Sequence, residues 1–238
     1  MTDLDALRRL AIAGVLLAMI LVPISLVLYV MAIDGNLEEL LFADPATVLG
    51  AGGQAAPLWR WAMLLDMLDS YLLLVPLALF IHRRLRDRRP WLADLGLSGA
   101  LAYIFIGAAS AAILAIAGSS LIESYSTAPP AEQLAIATAF ELLRDMFWFG
   151  VWQTLDGITL GMWIMTTGGL LLVDRPLLGR VLVMVGFGAW LGGLMTMLDI
   201  HSVAVLAAIF AGAIVVAIGW FALDRSRGAA DKLEASRG

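Results

Sequence analysis

Asp66, Asp69 and Asp156 stand inside long apolar stretches, and Asp199 stands at the edge of another. An ionisable group within a bilayer costs about 3 kcal/mol on insertion scales, so each of these acids needs a chemical reason. Asp66 and Asp69 lie one turn apart on one helix face, followed by Ser70 and, further along, Pro76. Proline supplies no N–H for the carbonyl four residues back, here Leu72, so a break is expected just below Asp69. Broken helices beside intramembrane acids are a recurrent way to build cation or proton sites. The other account of the same residues is a protonated aspartate acting as interhelical glue, hydrogen-bonded to Ser, Thr or Trp.

Asp156 belongs to a longer pattern. Glu141, Asp145, Trp148, Trp152, Asp156, Thr159, Trp163 and Thr166 follow one another by steps of three and four. On an α-helix that spacing keeps all eight within roughly 80° of arc. Gly150, Gly157, Gly161 and Gly168 form a second stripe beside it, at a spacing that lets a neighbouring helix approach closely. The expectation is an acidic, Trp-lined cavity opening to the outer face and binding a cation, a proton or a small ligand. Asp69, with Asp66 above it, is its inner acceptor and Asp156 the partner. Trp152 and Thr159 line it, and Asp199, Glu141 and Asp145 form an electrostatic mouth.

Metal chemistry has little to work with. His201 lies two residues from Asp199 and the other histidine, His82, falls at the opposite membrane boundary, so Asp199 and His201 are weak ligand candidates and a bis-histidine haem is excluded. Without cysteine there is no thiolate site, iron–sulfur cluster or disulfide. Lys232, the one lysine, falls in the polar tail, which excludes a retinal Schiff base. No phosphate-binding glycine loop or dinucleotide fingerprint is present, so no nucleotide cofactor is expected.

The elements that must position these groups follow from composition. The chain has 238 residues, 61% hydrophobic and 15% charged, with a mean hydropathy of +0.91. Soluble domains carry about a quarter charged residues, so lipid rather than water solvates most of this surface, and nucleic acid is not a partner. Six segments are long enough to cross a hydrocarbon core of about 30 Å: 10–33, 59–81, 95–118, 148–173, 177–198 and 202–223. The fold class is therefore all-α: a polytopic transmembrane bundle over residues 1–225, with a polar cytoplasmic tail at 226–238. With both termini cytoplasmic, 13 of the 15 basic residues fall inside and only Arg60 and Arg144 outside. That places the protein in the cell (inner) membrane. Residues 37–42 read as a short interfacial helix, and helical signal runs without a breaker from Pro130 to Val173.

A degenerate repeat is visible. Leu68-Asp69-Ser70 precedes Arg89-Pro90, Leu155-Asp156-Gly157 precedes Arg175-Pro176 at nearly the same interval, and Leu198-Asp199 begins a third apolar run. Together with the Trp-rich fourth segment, this layout resembles an uncharacterised bacterial six-helix integral membrane family. The resemblance implies a cell-membrane protein and carries over no activity and no site residue. Two other function classes remain open. One is a cofactor-free accessory subunit, packed through small-residue faces as a homo-oligomer or in a larger membrane complex. The other is an intramembrane metal-dependent hydrolase using Asp66, Asp69, Asp156 and His201.

Overall fold

A computed structural model describes residues 3–35 and 44–198. The expected interfacial helix at 37–42, Asp199, His201, the segment 202–223 and the tail lie outside the described residues. Within them the chain is helical, with no strand. We number the helices α1 (Asp3–Ala32), α2 (Pro45–Gly50), α3 (Ala55–Leu85), α4 (Pro90–Thr127), α5 (130–171) and α6 (Pro176–Met197). Three of the longer helices begin with proline at the first helical position, where its missing N–H costs nothing: α4 at Pro90, α5 at Pro130 and α6 at Pro176. The short α2 is capped by Asp44, whose Oδ2 accepts from the N–H groups of Ala46 and Thr47 at 3.1 and 3.2 Å.

Four of these helices, α1, α3, α4 and α6, are long and apolar enough to cross a membrane. The segment expected as the fourth span lies in α5, which is not among them. Its first half carries Glu141, Arg144 and Asp145, and its second half carries Asp156 and several threonines. The reason is its place in the bundle. Ten of the 15 residues in Gly157–Leu171 are buried, so this section is surrounded by protein and need not be apolar all round.

The glycine stripe makes that central position workable. A Cβ on Gly161 would come within 2.6 Å of the Gly186 carbonyl and 2.7 Å of the Trp190 nitrogen, both on α6. Gly157 and Gly168 meet α6 in the same way, at Ala189 and Gly193 and at Gly179 and Leu182. Gly150 does not join them, having only its own helix's Asp145 carbonyl nearby. On another side, Gly96 and Gly99 of α4 admit Thr166 and the backbone of Thr159 and Trp163.

Two apolar cores fill the bundle. One, towards the arginine-rich helix ends, holds Ala11, Leu85, Ala93, Leu170, Leu171 and Leu182. The other is aromatic: Tyr29, Trp59, Phe140 and Trp148 pack together with Ala32, Val48 and Ile122. Trp152 packs against both, so it marks the level at which they meet. Large apolar side chains cover much of the remaining surface, among them Leu16, Ile20 and Val27 of α1 and Leu177, Met184 and Phe187 of α6.

Candidate functional site

Asp69 is 2% exposed and Asp156 is 5% exposed. Both are brought into place by irregular helix. In α3 the residues Met67–Tyr71 form a π turn, Tyr71 leaves helical geometry at φ −129°, and Leu72–Leu74 tighten into 3₁₀ helix before α-helix resumes around Pro76. The expected free carbonyl at Leu72 is not free. The 3₁₀ turn lets the Val75 N–H reach it, which compensates for the proline. The break is nonetheless open to side chains, because the Tyr103 hydroxyl of α4 donates to the Ser70 carbonyl at 3.1 Å. Gly14 of α1 lies against the Leu73 carbonyl, where a Cβ would sit 2.5 Å away.

Around this break hydroxyls and carboxyls alternate. Ser25 Oγ of α1 lies 3.0 Å from Asp69 Oδ2 and 2.9 Å from the Val22 carbonyl. Ser70 Oγ lies 2.7 Å from Asp69 Oδ1 and 2.9 Å from Asp66 Oδ1. Each hydroxyl has one proton to give, so two protons face four acceptor oxygens. The four contacts are all made only when carboxyl protons join them. Ser25 then donates to Val22 and receives from Asp69, while Ser70 donates to Asp69 and receives from Asp66. Hydrogen-bond counting therefore gives the pair Asp66 and Asp69 room for two protons beyond those of the serines. No arginine, lysine or histidine pairs with either acid among the described residues.

Asp156 adjoins this pair through Tyr71. The Tyr71 hydroxyl donates to Asp156 Oδ2 at 2.6 Å, while Asp156 Oδ1 is buried with no hydrogen-bond partner among the described residues. The ring of Tyr71 occupies the space that a side chain at Gly107 would need, and it lies 5.0 Å from the ring of Tyr103. Trp152 Nε1 donates to the Gly107 carbonyl at 3.3 Å. Tyr71, the residue after Ser70, thus joins Asp156 to the chain segment that carries the acid pair, and Trp152 bonds the glycine against which the Tyr71 ring rests.

The other described members of the expected site make their own contacts. Glu141 and Asp145 are exposed and share Arg144, at 3.7 and 2.8 Å, in a surface cluster that keeps one net negative charge. The α-helical wheel fails here because Arg144–Asp156 is π helix, whose i→i+5 bonding takes more residues per turn and shifts the phase of the stripe. Thr159 is half-buried and donates to its own helix at the Leu155 carbonyl, 2.8 Å away. Trp148 is stacked on Tyr29 and Trp59, filling the aromatic core. No group of three or more His, Cys, Asp or Glu placed to hold a metal exists among the described residues.

Sequence reasoning missed Ser25, Tyr71, Tyr103 and Gly107. A signal was available for the tyrosines: a phenol deep in apolar sequence needs a partner for its hydroxyl, and Tyr71 follows the acid pair directly. Ser25 carried no such mark. No family model matches the chain, and neither a curated protein nor a solved structure matches it.

Proposed function

We propose that this is a six-span integral protein of the cell membrane, with cytoplasmic termini, that binds and releases protons at Asp66, Asp69 and Asp156. The observation that carries the reading is the two serine hydroxyls set against four acceptor oxygens, with no cationic side chain on the acids. A site built from carboxyl and hydroxyl groups stores protons by switching the direction of its hydrogen bonds, with little movement of heavy atoms. π turns, which are frequent at functional sites, hold Asp69 and Asp156, and Asp66 immediately precedes the first of them. The aromatic core of Tyr29, Trp59, Phe140 and Trp148 lies on the side away from the arginine-rich ends. We read this arrangement as the occluded form, reached from the outer face when that core loosens.

Infrared difference spectra of the reconstituted protein, taken between acid and alkaline buffer, test the proposal. Protonated-carboxyl bands should be lost in alkali, and Asp69→Asn and Asp66→Asn should each remove part of that change. Asn keeps an oxygen for the serines, so the fold is retained. Bands that do not respond to pH, or that respond identically in both variants and the parent, would overturn it.

A further inference from the structure

The arginine-rich end contains chemistry that the carboxyl site does not use. Arg88 pairs with Asp174 and its Nη1 donates to the Leu170 carbonyl at 3.0 Å, tying the α3–α4 link to the α5–α6 link. The tie sets the two Arg-Pro helix starts, at Arg89-Pro90 and Arg175-Pro176, at the same place. Two acids of this end are already engaged, Asp94 with His82 at 2.8 Å and with Arg86 at 3.7 Å, and Asp174 with Arg88, which leaves Asp87 as the exposed carboxylate of the link. Arg83, Arg84 and Arg89 remain exposed and pair with no carboxylate among the described residues. Trp91, 66% exposed, stands two residues from Arg89.

We propose that Arg83, Arg84, Arg89 and Trp91 form a binding surface for the phosphate headgroups of anionic phospholipid in the cytoplasmic leaflet. Sidedness during insertion needs positive charge on this loop but not exposed arginines free of carboxylates beside an exposed tryptophan. Guanidinium groups match phosphate oxygens two at a time, and tryptophan settles at headgroup depth, so the combination fits a lipid better than a free anion. The surface depends on the bilayer reading and is independent of the carboxyl site, so Asp69→Asn should leave it unchanged.

The test uses the full chain in neutral detergent, with quenching of tryptophan fluorescence by brominated phosphatidylglycerol or brominated phosphatidylcholine. Quenching by the anionic lipid should occur at lower concentration, and Trp91→Phe should remove that difference. Each of Arg83→Gln, Arg84→Gln and Arg89→Gln should lower the preference by about fivefold, and added salt should weaken it in the parent. Arg60→Gln, at the other end, should not. The single variants and the salt series decide the matter even if a triple variant fails to insert. Equal quenching by both lipids, an effect of Arg60→Gln as large as that of Arg84→Gln, or full displacement by inorganic phosphate would overturn the proposal.

Discussion

Replacing Gly161 and Gly188 by alanine should move stability in opposite directions, although both lie on α5–α6 sequence of similar composition. At Gly161 the added Cβ would sit 2.6 Å from the Gly186 carbonyl, 2.7 Å from the Trp190 nitrogen and 2.8 Å from the Trp190 Cβ. These are backbone or near-backbone atoms, so the two helices must separate. Overpacking of this kind costs about 1–3 kcal/mol. At Gly188 nothing lies within 4 Å of the added atom, so alanine there only gains helix propensity, up to about 1 kcal/mol. The propensity gain is common to both sites and cancels between them, leaving the overlap as the difference: Gly161→Ala should be less stable than Gly188→Ala by about 1–3 kcal/mol. Leu160, the neighbour of Gly161, is itself buried and would make a poor control. Unfolding of each variant in mixed micelles by added dodecyl sulfate, followed by circular dichroism, measures the difference. Equal midpoints, or a more stable Gly161→Ala, would show that the glycine seam does not set the α5–α6 distance.

Tyr71→Phe leaves Asp156 with neither oxygen partnered, which should cost about 1–3 kcal/mol in the same unfolding assay; Tyr103→Phe gives up only a bond to a backbone carbonyl and should cost less. Asp69→Leu, unlike Asp69→Asn, removes the polar partner that Ser25 and Ser70 share and should lower both stability and the pH-linked infrared change. Because the chain has no cysteine, single cysteines at the exposed positions Ser124 and Asp87 report topology directly. An impermeant thiol reagent should reach Ser124→Cys from outside and Asp87→Cys only from inside, and labelling of both from one side would refute the orientation.

Much of the site was legible without coordinates because burial in apolar sequence is itself a signal. Asp66, Asp69 and Asp156 stand out by cost, Pro76 announces a break near Asp69, and glycines at helical spacing announce a seam. The angular relation of Asp145 to Asp156 was not legible, because a wheel drawn at α-helical pitch assumes the pitch. Arg144–Asp156 is π helix, and no residue within it declares that geometry. Arg144, between Glu141 and Asp145, was the available sign that those two acids share a cation.

Composition and apolar periodicity by themselves determined that the described residues are helical, with helices long enough to cross a membrane, and which residues resist that environment. Those properties are local, set by side-chain transfer energy and by backbone hydrogen bonds closed within each helix. The partners were decided only by tertiary structure. Ser25 reaches Asp69 from 44 positions away, and Tyr71 reaches Asp156 across 85. Such bonds depend on helix rotation, on where the pitch changes, and on a glycine at 107 that gives the Tyr71 ring its place. Each is a property of two or more elements at once, and no single stretch of sequence contains it.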